Sequence, residues 1–141
     1  MAVSFIMHIL VLSSSDEISY LKPDEKIVHF SFRPTAKDIM TVYSKSPGLI
    51  AIQMPDSFIK NISSAIKMFL TMNNIKLIKG NLWGYRKDIN PNFELKEVNE
   101  MISNMKQNEK DRKYIISQIE DKFNLSPELC SFLYDFYENQ K

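Results

Sequence analysis

The feature that most constrains this chain is an alternation of short apolar runs with helix-forming segments over its first 90 residues. Isoleucine, valine, leucine and phenylalanine are typical of strand interiors, and they dominate four runs, at residues 7–12, 27–32, 49–54 and 76–82. Helical patterns separate these runs, and strands that alternate with helices are typical of parallel βαβ units. We therefore predict an α/β domain at residues 1–90, with a four-stranded, mainly parallel sheet and crossover helices.

Capping patterns locate the helices of this domain. Thr35 is followed three residues later by Asp38, which is a capping-box pattern, and Pro47-Gly48 ends the helix that follows. Asp56 or Ser57 is predicted to cap a longer helix, whose apolar stripe extends to Leu70. Ser15 is predicted to cap a short turn after the first strand.

The two faces of the predicted sheet differ in polarity. Side chains alternate between the faces of a strand, which groups Val28 and Phe30 with Ile52 on one face. The other face is predicted to carry polar side chains among apolar ones: His8, Leu10, Leu12, His29 and Gln53. A doubly wound sheet is apolar on both faces. Either the C-terminal helices cover the mixed face, or part of it forms a shallow groove.

Residues 91–141 show no strand pattern and are predicted to form an all-helical segment with a helix-turn-helix-like hairpin. Asn124 can take the left-handed conformation in the turn, and Ser126 can cap the last helix. Residues 127–139 hold three acidic side chains and neither lysine nor arginine. Because phosphates attract basic side chains, duplex DNA is not expected to bind through this tail, and an ordinary helical hairpin is the better interpretation.

The number of cysteines and the distribution of charge restrict the kinds of protein that this chain can be. A single cysteine, Cys130, excludes a disulfide within the chain and fits a reducing cytoplasm. The apolar start is shorter than a membrane-spanning helix, so we expect a cytoplasmic protein without a membrane partner.

Residues 1–90 hold 11 basic and 7 acidic side chains, whereas residues 91–141 hold 7 basic and 10 acidic ones. This charge split supports a boundary near Pro91.

Motifs for catalysis or for metal binding are not recognisable. His8, His29 and Cys130 lack the close spacing of a zinc site, and neither a nucleophile elbow nor a Walker loop occurs. We therefore predict no catalytic residue, no metal and no cofactor, and the chain is more consistent with a non-enzymatic protein.

Residues that can hold an anion follow the predicted strands. Ligands of parallel sheets bind beyond the carboxyl ends of the strands, and guanidinium groups suit phosphate and carboxylate. Two arginines occur there, each just after a strand, and aromatic residues near the second offer stacking surfaces. The predicted ligand-binding residues are Arg33, Arg86, Lys87, Ser13, Ser14, Trp83 and Tyr85. The alternative is that each arginine pairs with a nearby carboxylate, Asp56 or Asp88, and only ties loops together.

Basic side chains are also concentrated between residues 33 and 87, a stretch that holds nine basic and two acidic residues. One interpretation is a solvated helix face together with lysines that guard an edge strand, at Lys76 and Lys79. The other is weak binding of RNA or a nucleotide, with Trp83 and Tyr85 available for stacking.

These observations favour a non-catalytic binding or regulatory module with an anion or phosphate-group site at the carboxyl ends of the strands. A small enzyme that acts on a phosphorylated or carboxylate substrate in the same cleft is the alternative. A protein-interaction or nucleic-acid-associated protein with a helix-turn-helix-like tail is a further one. A phosphate-containing small molecule or RNA is the possible partner, and a homodimer is possible.

Several segments of the chain together resemble a known family. The successive segments KIVHFSFRPTAKDI, SPGLIAIQMP, SSAIKMFL, NLWGYRKDIN and FNLSPELCSFL are similar to a small archaeal conserved-protein family of unknown function. The resemblance covers nearly the whole chain from about Met7. It implies an archaeal, cytoplasmic protein without an assigned activity, and it supplies no catalytic residues.

Overall fold

A computed structural model describes residues 8–82 and 92–138 of the chain. Five strands form one sheet: β1 His8–Leu12, β2 Ile27–Phe30, β3 Ala51–Met54, β4 Lys76–Lys79 and β5 Asn92–Glu94. A 3₁₀ helix, Ser15–Tyr20, follows β1. The α-helices are α1 Ala36–Lys45, α2 Asp56–Ile59, α3 Ser64–Met72, α4 Lys96–Gln107, α5 Arg112–Phe123 and α6 Pro127–Glu138.

The sheet has the order β4-β3-β2-β1-β5. The first four strands pair in parallel, which confirms the mainly parallel α/β architecture. The predicted number of strands is wrong, because β5 adds to β1 in the antiparallel direction. Three residues are too few for a period-2 pattern to stand out in a sequence, so a strand that forms by pairing with an existing strand leaves no strong local signal.

The register of β1 corrects the predicted faces of the sheet. Leu10 lies opposite Val28, and Leu12 lies opposite Phe30. His8, Leu10 and Leu12 therefore share the face of Val28 and Phe30, contrary to the prediction, because a shift of one residue in register moves every side chain of a strand to the other face. On this face Leu12, Val28 and Phe30 pack with apolar side chains of α1 and α3 in one buried cluster.

The C-terminal helices cover the opposite face of the sheet. Ile9, Ile27 and Ala51 lie in a second buried cluster with Ile102 of α4 and Leu129 of α6. Of the two predicted alternatives for the mixed face, coverage by the helical tail is the one observed. His29 and Gln53 lie on this covered face, and both are buried.

The capping patterns in the sequence predicted some helix ends correctly and others wrongly. The Thr35 hydroxyl accepts the N–H of Asp38, and the Asp38 side chain accepts the N–H of Thr35, so the capping box of α1 is confirmed. The predicted long helix after β3 is wrong: the short helix α2 ends at Ile59, and Ser63 caps α3. Ser15 does not cap the 3₁₀ helix, since its hydroxyl donates to the Asp38 carboxylate instead.

The helical hairpin of the tail matches its prediction. Asn124 ends α5 in the left-handed conformation, with φ of 54°, and the Ser126 hydroxyl accepts the N–H of Leu129 at the start of α6. The predicted division into residues 1–90 and 91–141 stays a prediction, although the sheet itself extends past residue 91 through β5.

Candidate functional site

The serines that follow β1 lie among carboxylates. Ser13 and Ser14 are both exposed. The backbone N–H of Ser13 donates to the Glu17 carboxylate at 2.7 Å, and the Ser15 hydroxyl donates to Asp38 at 3.0 Å. Two carboxylates therefore already accept hydrogen bonds from this loop, one from the Ser13 N–H and one from the Ser15 hydroxyl.

Arg33 is the one predicted arginine that the structure describes, and its side chain is exposed. Its guanidinium carbon lies 5.6 Å from the centroid of the Phe58 ring, which is a cation–π distance. No carboxylate among residues 8–82 and 92–138 forms an ion pair with it. The part of the alternative in which Arg33 pairs with Asp56 is therefore not observed, and Asp56 pairs with Lys60 at 3.3 Å; Asp88 lies outside the described residues.

The other half of the predicted anion site lies outside the described residues. Trp83, Tyr85, Arg86 and Lys87 fall in the segment 83–91, which the structure does not describe. The predicted convergence of Arg33 with Arg86 therefore stays a prediction.

A cleft of about 380 Å³ lies beside β1, on the face of the sheet that α1 and α3 cover elsewhere. It exists because the short 3₁₀ helix covers the carboxyl end of β1, where Leu12 and Ile18 are buried, and leaves the start of the strand partly open. Its lining residues are His8, Leu10, Val11, Leu12, Glu17, Tyr20, Lys22, Glu25 and Asn92.

A histidine–carboxylate pair lies at one end of this cleft. Nε2 of His8 is 2.7 Å from Oε1 of Glu25. The Glu25 side chain is 5% exposed and the His8 side chain 33% exposed. A carboxylate that is this buried requires a hydrogen-bonding partner, and the parallel pairing of β1 with β2 supplies it, because it brings the start of β1 beside the residues that precede β2.

The second ring nitrogen of His8, a residue that lines the cleft, is not used in this pair. Nδ1 of His8 has no hydrogen-bond partner within the described ranges. In a neutral ring whose Nε2 carries the proton, Nδ1 accepts a hydrogen bond, and in a charged ring it donates one. Lys22 and Tyr20 are exposed at the rim of the cleft, and the half-buried Leu10 provides an apolar wall.

Sequence reasoning placed neither His8 nor Glu25 in a site. The two histidines were predicted to share one face of the sheet, but they lie on opposite faces, and His29 is 3% exposed. The signal that was missed is an acidic residue, Glu25, two residues before the apolar strand β2. A histidine, His8, begins the neighbouring strand β1. This signal becomes visible only once the register of β1 and β2 is known.

The second histidine belongs to a buried polar pair at the carboxyl ends of β2 and β3. Nδ1 of His29 lies 3.0 Å from Oε1 of Gln53. Burial lowers the pKa of His29 from its ordinary value of 6.5 to about 4, and the hydrogen bond with Gln53 opposes this shift. His29 is therefore neutral at physiological pH, and the pair links two strands beneath the helical layer.

Neither a metal nor a reactive thiol is evident in the described parts of the chain. No group of three or more His, Cys, Asp or Glu side chains that could hold a metal ion occurs there. Cys130 is fully buried. Burial raises the pKa of its thiol to about 12, and Glu120 and Glu128 act in the same direction. A thiol in this state is a packing group rather than a nucleophile.

The last helix of the tail packs its apolar face on the sheet and presents acids outward. Leu129, Cys130 and Leu133 lie in the buried cluster beneath the tail. Asp135 pairs with Arg112 at 3.1 Å, and Glu128 lies 3.5 Å from Lys79 of β4. The exposed side of α6 therefore carries Glu128 and Asp135, both paired with basic side chains, and the expectation that duplex DNA does not bind through the tail stays a prediction.

Comparisons with known proteins identify a family of unknown function. Within the described residues, no helix has the length and apolar character needed to cross a membrane. Searches of curated proteins and of solved structures returned no match. A family model, the N-terminal domain of the family of unknown function DUF1699, matches residues 8–91. This match confirms an uncharacterised family, while the archaeal source stays a prediction. Because the match covers more than half of the chain, the chain belongs to the DUF1699 family.

Proposed function

We propose that this chain is a non-catalytic binding module for a small organic molecule that carries a carboxylate or phosphate group. The observation that carries the proposal is the cleft of about 380 Å³ beside β1, with the His8–Glu25 pair at its end. Ligand pockets of proteins range from about 300 to 1,000 Å³, and they combine apolar walls with a few fixed polar groups. This cleft has both features.

The cleft suits a molecule with an apolar body and an anionic group. Leu10 and Leu12 form the apolar wall that the body contacts. The anionic group lies near Lys22 and near Nδ1 of His8, which donates a hydrogen bond when the ring is charged. Glu25 supports this arrangement because it accepts the Nε2 hydrogen bond and so orients the ring. Glu17 opposes the anion less than a free carboxylate would, because it accepts the N–H of Ser13.

Binding fits the cleft better than nucleophilic catalysis. None of its described lining residues is a serine, threonine or cysteine, so among these residues the histidine–carboxylate pair has none of the nucleophiles that an adjacent base usually activates. A small enzyme in which His8 acts as a general base on a bound carboxylate or phosphorylated substrate is the alternative, and it rests on the same pair.

A second anion site at the carboxyl ends of the strands is favoured by one observation. Arg33 is exposed, stacks on Phe58 and has no carboxylate partner among the described residues. Its proposed co-ligands are the ones that the sequence indicated, namely Ser13, Ser14, Trp83, Tyr85, Arg86 and Lys87. A phosphate group, free or in RNA, is the ligand that suits this set.

The experiment is a thermal-shift titration of the full chain with phenyl phosphate, benzoate and benzylamine. Phenyl phosphate or benzoate is expected to raise the melting temperature, and benzylamine is not. A ligand at ten times its Kd stabilises the folded state by about 1.4 kcal/mol, which is a shift of several degrees for a chain of this size. The shift is expected to disappear in His8→Ala and in Lys22→Ala.

The controls separate the two sites. Lys113→Ala removes an exposed lysine of α5, a helix whose buried side chains pack on the opposite face of the sheet, and is expected to keep the full shift. Inorganic phosphate tests the second site, where its effect is expected to depend on Arg33 and not on Lys22. Equal shifts for the anionic and cationic probes, or shifts unchanged in both cleft variants, would disprove the cleft proposal. Turnover of a bound phosphate ester that His8→Ala abolishes would favour the enzyme instead.

A further inference from the structure

Among the described residues, strand β4 is the end strand of the sheet, and the backbone groups on its outer side pair with no other strand. Within the described residues, β3 is its one neighbouring strand. The N–H of Lys76 donates to the carbonyl of Ile50 at 2.9 Å, and the N–H of Gly80 donates to the carbonyl of Met54 at 3.0 Å. Residues of a parallel strand bond to the same neighbour at every second position. The N–H and C=O groups of Leu77 and Lys79 therefore point away from β3.

Two grooves border this edge, one on each face of the sheet. The groove on the side of α3 has a volume of about 520 Å³ and is lined by Lys67, Leu70, Thr71, Asn74, Ile75, Lys76 and Leu77. The groove on the side of α6 has a volume of about 390 Å³ and is lined by Lys76, Glu128, Ser131, Phe132, Asp135 and Phe136. A strand added to β4 would direct alternate side chains into the two grooves.

The two grooves differ in the side chains that they suit. In the groove beside α6, Phe132 and Phe136 stack with their ring centroids 6.4 Å apart. Its two acids are already paired, Glu128 with Lys79 and Asp135 with Arg112. In the groove beside α3, Lys67 and Lys76 are exposed and have no acidic partner among the described residues. Lys76 lines both grooves, so carboxylates suit the α3 side and the rim that the two grooves share, whereas apolar side chains suit the α6 side.

We propose that the outer edge of β4 binds an extended, acidic segment of a partner protein, which adds to the sheet as a further strand. Carboxylates of that segment lie near Lys67 and Lys76, and its intervening apolar side chains contact Phe132 and Phe136. Addition of a strand gives affinity through backbone hydrogen bonds and specificity through alternate side-chain pockets. The proposal does not depend on the cleft beside β1, which lies at the other end of the strand order.

A second copy of this chain is a poor occupant of the same edge. Pairing of β4 with β4 would bring Lys76 and Lys79 of both copies together on one short ladder, and like charges close to one another are unfavourable. Lysines on an edge strand thus block self-association. The same lysines attract a strand of opposite charge.

The test is a titration of the full chain against the fluorescein-labelled peptide Glu-Phe-Glu-Leu-Glu-Phe, capped at both ends, with binding measured by fluorescence anisotropy. The peptide is expected to bind, and its affinity is expected to fall as salt is added. The peptide with lysine in place of glutamate is expected not to bind. In ¹⁵N spectra, the amide signals of Leu77 and Lys79 are expected to shift on binding, because they donate to the added strand.

A matched pair of variants tests the location. Lys67→Glu with Lys76→Glu is expected to weaken binding at least tenfold. Lys37→Glu with Lys45→Glu makes the same change of net charge on α1 and is expected to leave the affinity within about twofold. Equal loss in the two double variants, absence of binding at 1 mM peptide, or a dimer in solution that pairs through β4 would each overturn the proposal.

Discussion

Replacement of Gly80 by alanine tests how tightly the end of β4 packs against the helical layer. A Cβ atom at Gly80 would lie 2.4 Å from Nε2 of Gln53, 2.5 Å from Oγ of Ser126 and 2.8 Å from Cβ of Ser126. Ordinary contacts of a Cβ begin at about 3.4 Å, so the neighbours must move by about 1 Å. Neither is free to do so, since Gln53 is fully buried and the Ser126 hydroxyl caps α6.

The expected loss of stability follows from these contacts. Overpacking of a close-packed interior costs about 1–3 kcal/mol. The φ of Gly80, 157°, is one that side-chain-bearing residues rarely adopt, and such strain adds roughly 1 kcal/mol. We expect Gly80→Ala to lower the free energy of unfolding by about 2–4 kcal/mol, measured by urea denaturation and followed by circular dichroism.

Gly48→Ala is the matched control. A Cβ atom at Gly48 would meet Nζ of Lys26 at 2.9 Å, which is the mobile end of an exposed side chain, so a change within about 0.5 kcal/mol is expected. Ser126→Gly removes two of the three clashes at Gly80 and costs a few tenths of a kcal/mol as a cap. It is expected to restore at least about 1 kcal/mol when combined with Gly80→Ala. Equal losses at the two glycines, or no coupling with position 126, would refute the reasoning.

Three further predictions concern stability and reactivity. Thr35→Ala removes the hydroxyl of the capping box of α1 and is expected to lower the free energy of unfolding by about 1 kcal/mol, measured by urea denaturation. Thr35→Ser retains a hydroxyl and is expected to keep most of that stability. The pKa of His29 is lowered from 6.5 to about 4 in the folded chain. Between pH 4 and pH 6.5 the unfolded chain therefore binds a proton at His29, and the folded chain does not. Stability is therefore expected to fall by on the order of 3 kcal/mol as the pH drops from about 6.5 to 4; this contribution to the pH dependence should be missing in His29→Gln. Cys130 is fully buried and the pKa of its thiol is raised to about 12, so a thiol reagent is expected to label it only in denaturant; rapid labelling of the folded protein would contradict its burial.

Local signals in the sequence were sufficient for most elements of the fold. The four parallel strands, the capping box at Thr35 and Asp38, and the hairpin turned by Asn124 all depend on residues that are close together along the chain. Apolar periodicity, capping side chains and the left-handed tolerance of asparagine act over a few residues. Such features can therefore be predicted without knowledge of the rest of the structure.

The candidate cleft could not be predicted in the same way. Which face of the sheet His8 occupies depends on the register between β1 and β2, and that register is set by contacts between segments about 20 residues apart. Likewise, the edge position of β5 depends on a free side of β1, and the burial of Gln53 depends on the docking of α6. The order of most local elements was therefore determined by the sequence alone. The pairing of His8 with Glu25, the cleft beside it and the position of β4 at the edge of the described sheet were decided only by the tertiary structure, because side chains distant in sequence become neighbours only when the sheet and its two helical layers assemble.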